Sequence, residues 1–69
     1  MEESTKKIIM EILENELRAV EKSLYFINAA IKTAEAEKNS SIIKTQNRLK
    51  KHALQRIETL QNAIKDLNG

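Results

Sequence analysis

Apolar residues recur along the first half of the chain at alternating spacings of three and four, the pattern of an amphipathic helix. This pattern predicts a helix from about residue 3 to residue 37, with one continuous a/d seam that faces a neighbouring helix. The seam consists of Met10, Leu13, Leu17, Val20, Leu24, Ile27, Ile31 and Ala34.

A second apolar stripe follows the same helix, roughly 130° around its axis from the first stripe at 100° per residue. Its members are Ile8, Ile12, Ala19, Phe26 and Ala30. One neighbouring helix cannot cover both stripes. The first helix therefore predicts a partner outside the hairpin, either a second copy of the chain or a different protein, and the pattern leaves these two open.

The apolar periodicity stops at residues 38–41, where Lys-Asn-Ser-Ser predicts a loop, with Ser40 or Ser41 capping a second helix from about residue 42 to residue 67. The expected inward stripe of this helix is Ile42, Gln46, Leu49, Ala53, Ile57, Leu60, Ile64 and Leu67. It contains two consecutive steps of four, which form a stutter. Because the loop is short, the fold class is all-α, an antiparallel two-helix hairpin.

The composition supports the helical prediction mainly through the residue types that are rare or absent. The 69 residues include no cysteine, no proline and a single glycine at the last position, which is typical of an all-helical protein without disulfides. A single domain of this length, residues 1–69, holds only a small core. We therefore expect two hairpins to pair into a four-helix bundle, or one hairpin to pack against a partner helix.

The sequence offers no sign of a membrane span, since no apolar run approaches about 18 residues. The start, Met1-Glu2-Glu3-Ser4, lacks the basic and apolar regions of a secretory signal. Asn68-Gly69 is a suitable helix stop, and we expect the chain to be complete. The expected compartment is the cytoplasm.

The sequence contains few candidate residues for catalysis or metal binding. His52 is the single imidazole, and its helical neighbours Arg48 and Arg56 cannot orient it as a carboxylate would. Glutamates such as Glu11 and Glu14 lie along a straight helix face and do not converge, as a hard-cation site requires. We expect no enzyme activity, no catalytic or metal-binding residues, no cofactor and no small-molecule substrate.

The charge is unevenly distributed, with a net charge of −3 over residues 1–37 and +5 over residues 38–69. Lys44, Arg48 and Lys51 project from one face of the second helix, opposite the expected buried stripe. In a hairpin, residues 44–56 should face residues 23–35, where only Glu35 is acidic. Such a face either keeps the helix soluble or binds the phosphates of RNA or DNA.

Two functional hypotheses follow. The first is a non-enzymatic protein–protein interaction module, a small chaperone or adaptor whose second stripe (Ile8, Ile12, Ala19, Phe26 and Ala30) covers an amphipathic helix of a partner. The alternative is a homodimeric four-helix-bundle regulator that binds RNA or DNA through Lys44, Arg48 and Lys51.

The second helix carries Ala53-Leu54-Gln55-Arg56-Ile57, followed by alternating Ile and Leu through Ile64. In this pattern, in length and in layout over nearly the whole chain, the sequence resembles the small helical-hairpin co-chaperones of type III secretion. The resemblance implies two antiparallel helices that help a second chaperone to keep a needle subunit soluble. The basic stretch 44–56 is not part of that family's pattern. The layout also resembles that of a plasmid-encoded RNA-binding protein, a dimeric four-helix bundle of two hairpins.

Overall fold

The computed structural model describes residues 2–69, so that Met1, part of the predicted start, lies outside the described residues. Helix α1 spans Glu3–Ala36 and helix α2 spans Ser40–Asn68. The two helices pack side by side along an elongated body of 53 × 14 × 12 Å. The all-α hairpin fold predicted from the hydrophobic pattern is confirmed.

The core is a single seam between the two helices. Every predicted seam residue of α1, from Met10 to Ala34, is buried or half-buried, which confirms the stripe read from the sequence. Only Ala34 and Leu60 fall to a few per cent exposure within residues 2–69, at 2% and 4%. Two helices leave each seam residue partly open on the sides, because no third element covers them.

The seam of α2 differs from the prediction in its first half. Ile42 and Leu49, both expected to face inward, are 42% and 45% exposed, whereas Ile43 and Lys50 are half-buried in their place. The observed inward positions are Ile43, Gln46, Lys50, Ala53, Ile57, Leu60, Ile64 and Leu67. Their spacing alternates three and four without interruption, so the predicted stutter is wrong. Lys50 can occupy a seam position because its aliphatic stem packs while the ammonium group reaches water.

The turn is shorter than the predicted loop of residues 38–41. Helix α1 ends at Ala36, Lys38 adopts a left-handed backbone with φ of 56°, and α2 begins at Ser40. The cap of α2 is Asn39, whose side-chain Oδ1 accepts a hydrogen bond from the Ile42 amide at 3.1 Å. The expectation that Ser40 or Ser41 caps this helix is therefore wrong, because both residues already lie inside it.

Candidate protein-interaction surface

The second stripe of α1 is exposed where the sequence pattern places it. Ile8, Ile12 and Phe26 are 58%, 61% and 58% exposed, Ala19 is exposed, and Ala30 is half-buried. These are large apolar fractions for Ile and Phe side chains in a folded protein. The hairpin alone therefore leaves this stripe uncovered, and its role in partner binding remains a prediction.

An ion pair between the helices identifies which of their sides lie together. Arg56 Nη2 of α2 lies 3.7 Å from Glu16 Oε1 of α1, with both side chains about half exposed. Residues seven positions apart on a helix share a side. The side of α2 that carries Ile42, Leu49 and Ala63 is therefore the side that carries Arg56, and it adjoins the side of α1 that carries Glu16.

The same geometry extends the exposed stripe across both helices. Ala30 shares a helix side with Glu16, and the Ile12, Ala19 and Phe26 column is the next one around α1. The result is one surface, here called the apolar flank, that continues from α1 onto α2. It comprises Ile8, Ile12, Ala19, Phe26 and Ala30 from α1, and Ile42, Leu49 and Ala63 from α2.

The α2 part of this surface was not predicted from the sequence, because hydrophobicity assigns Ile42 and Leu49 to the core. An unbroken spacing of three and four through Lys50 was the signal that could have found it. The pattern was present in the sequence, but it requires a lysine on the seam.

Hydroxyl side chains on this side of the hairpin are already hydrogen-bonded within their own helices. Ser23 Oγ donates to the Ala19 carbonyl at 3.1 Å, and Thr33 Oγ1 donates to the Ala29 carbonyl at 3.2 Å. Thr45 and Thr59 of α2 make the same bond to the residue four positions earlier, at 3.1 Å and 3.0 Å. Because these donors are satisfied internally, a partner can cover them without leaving a buried unpaired hydroxyl group.

Two further exposed apolar residues lie off the apolar flank. The Tyr25 ring stands edge-on to Phe26, with centroids 5.6 Å apart, and Tyr25 is 71% exposed. Leu54 is 48% exposed, but its position on α2 is about 140° around the helix from Leu49. Leu54 therefore faces the opposite side of the hairpin, and a single partner on the apolar flank does not reach it.

The basic residues of α2 form a separate face. Lys44, Arg48 and Lys51 are exposed, and their spacings of four and three place them on the outer side of the helix. Within residues 2–69 the single ion pair is that of Arg56 with Glu16, so these three cations have no carboxylate partner there.

The Arg56–Glu16 pair corrects one expectation from the sequence. The basic segment was expected to lie opposite residues 23–35, with no acid but Glu35 within reach, yet Arg56 reaches Glu16. The turn is centred on Lys38, earlier than the middle of the predicted loop, so residue 56 lies level with residue 20, and Glu16 is about one helical turn from that level.

The described residues offer little for chemistry. Among residues 2–69 no three His, Cys, Asp or Glu side chains come together in a way that could hold a metal ion. One surface depression is bounded by Lys6, Glu14 and Asn68, and another by Tyr25 and Glu35. His52 lines neither of them.

No protein-family model, curated protein or solved structure matches this chain. Over the described residues, neither helix combines the length and the hydrophobicity that a membrane crossing requires.

Proposed function

We propose that this chain is a non-enzymatic protein–protein interaction module whose apolar flank covers an amphipathic helix. The observation that carries the proposal is the set of exposed apolar side chains on one side of the hairpin, with Ile12 and Phe26 on α1 and Leu49 on α2. An exposed apolar surface that is shared by two adjacent helices is suited to a partner helix, which can dock along the groove between them.

A chaperone or adaptor role fits this surface. Such a protein needs an extended apolar face and no reactive site, and it needs the rest of its surface to be polar. The resemblance in layout to the small co-chaperones of type III secretion supports the same class of function, with a needle-like helical subunit as the partner. The proposed site of this interaction is the cytoplasm.

The proposal is tested by capture of partners from source cells with the wild-type chain and with Phe26→Asp and Ile12→Asp. Each substitution places a charge on the apolar flank, and we expect the specific partner to be lost in both. Leu54→Asp is the matched control, because Leu54 is a large exposed apolar residue that faces the opposite side of the hairpin. Retention of the partner by Phe26→Asp and Ile12→Asp would overturn the proposal.

A second candidate function has an observation of its own. We propose, as the alternative, binding of RNA or DNA by the face that carries Lys44, Arg48 and Lys51. Three exposed cations that have no carboxylate partner among residues 2–69 can contact phosphates, and their spacing along one face suits a nucleic-acid backbone.

The alternative is tested by fluorescence anisotropy with labelled RNA and duplex DNA over a range of salt concentrations. Replacement of the three cations by Ala should weaken binding. On duplex DNA it should also lower the slope of log K against log salt by about 0.9 for each phosphate that the variant no longer neutralises. Replacement of Lys6, Lys7 and Lys65 by Ala is the control with equal charge removed elsewhere. Absence of any anisotropy change at low salt would eliminate this function.

A further inference from the structure

We infer that the occupant of the apolar flank is a second copy of this chain, packed face to face with both turns at the same end of a four-helix bundle. This inference rests on the proposed function, since it names the helices that the apolar flank covers. The twofold axis of this dimer runs parallel to the helices, so that α1 of each copy lies over α2 of the other.

The accessible surface supports a second copy. A compact monomer of 69 residues is expected to expose about 4,400 Å², whereas this hairpin exposes 5451 Å². The excess of about 1,000 Å² is close to the area of about 800 Å² that each partner buries in a stable interface. Packing against a second hairpin would therefore bury about as much surface as this chain exposes beyond a compact monomer of the same length.

The positions of the apolar side chains favour turns at the same end. Residues at equal distances along the chain from Lys38, the centre of the turn, lie level with one another. Phe26 therefore lies within one residue of the level of the second copy's Leu49, and Ile12 lies within one residue of the level of the second copy's Ala63. Exposed apolar side chains of α1 then meet apolar side chains of α2 across the interface, and Leu49, which is 45% exposed in the single hairpin, acquires an apolar neighbour.

The charges favour the same arrangement. With the turns at one end, the half of the chain with net charge −3 lies over the half with net charge +5, and Glu16 approaches the second copy's Arg56 within about one helical turn. With the turns at opposite ends, α1 lies over α1 and α2 over α2. That packing can bring Ile12 to Phe26, but it lays the half of the chain with net charge −3 over its own copy and the half with net charge +5 over its own copy, so that like charges face each other.

The first experiment is the solution mass of the purified chain, by light scattering behind a sizing column. We expect twice the chain mass of 7.9 kDa. Leu49→Asp should reduce the mass to that of one chain. Leu54→Asp should leave the dimer intact, because this leucine is equally exposed on the same helix but faces the opposite side.

The second experiment measures the distance between spin labels attached at Lys38→Cys, which adds the sole cysteine of the chain. Turns at the same end give a distance far below the hairpin length of 53 Å, whereas turns at opposite ends give a distance close to that length. The long distance would overturn the packing that we infer, and the label leaves the apolar flank unchanged.

The outcomes separate this inference from the proposed function. A helical monomer at all concentrations would overturn the inference, while capture of a partner that depends on Phe26 would still support the proposed function. A dimer unaffected by Leu49→Asp and Phe26→Asp would overturn the inference and count against the apolar flank as an interaction surface. A dimer lost in Leu49→Asp and kept in Leu54→Asp supports both.

Discussion

Two residues of the turn set the geometry of the hairpin. Lys38 adopts positive φ, where its β-carbon crowds the following carbonyl group, and Asn39 then caps α2 through the Ile42 amide. The sequence predicted a turn at this place, because periodicity stops there. It did not predict which residue caps α2, since Asn and Ser are almost equally good caps. The choice between Asn39 and Ser40 depends on the residue at which the first helix ends.

Lys38→Gly should raise the free energy of unfolding by about 1 kcal/mol, because glycine adopts positive φ without a β-carbon clash. Urea unfolding at fixed protein concentration measures the change. Lys44→Gly is the control, and it should lower the free energy of unfolding by about 1 kcal/mol because residue 44 lies inside α2. A loss of stability in Lys38→Gly would contradict the role assigned to the turn.

Asn39→Ala should lower the free energy of unfolding by about 1 kcal/mol, since the Ile42 amide loses its side-chain acceptor. Asn39→Asp should retain most of the stability, because its carboxylate can accept the same bond. Ser40→Ala should cost much less than Asn39→Ala in the same unfolding measurement. The reverse order would show that Ser40 is the cap in solution.

At the scale of the helices, α1 could be predicted almost completely and α2 only in its second half. The α1 seam is apolar at each position, so only one register fits. In α2, Leu49 and Lys50 compete for one seam position, and hydrophobicity alone favours Leu49. The structure selects Lys50, because helices that pack along their whole length keep the alternating spacing, and a lysine stem tolerates partial burial.

Lys50→Leu should raise the free energy of unfolding by about 1 kcal/mol, since a leucine buries more apolar surface at a seam position. Lys51→Leu is the matched control, because residue 51 is exposed and faces away from the seam. Thermal unfolding of both variants measures the difference between the two positions. If Lys51→Leu stabilised the chain as much as Lys50→Leu, the assignment of Lys50 to the seam would be wrong.

At the scale of the whole molecule, the hairpin has a thin core and a broad exposed apolar surface. The α1 half of the apolar flank could be predicted, because its stripe is separate from the seam by simple helical geometry. The α2 half could not, since Ile42 and Leu49 fit a core assignment equally well until the register was known. The occupant of the flank is not encoded in a motif, because apolar side chains specify a shape and no particular ligand.

If two hairpins share one core, the unfolding midpoint should depend on protein concentration. A tenfold dilution removes about 1.4 kcal/mol per dimer, which lowers the midpoint by about 5 °C for an assembly of this size. Circular dichroism melts across a range of concentrations measure this shift. A midpoint independent of concentration would indicate that one chain unfolds by itself.

The edge-on pair of Tyr25 and Phe26 has a practical consequence. The chain contains one tyrosine and no tryptophan, so its near-ultraviolet emission comes from a single side chain at the border of the apolar flank. Any helix that covers Phe26 must change the surroundings of that phenol ring. The intensity and polarisation of tyrosine fluorescence therefore report the occupancy of the surface directly, without a label, in the unmodified protein.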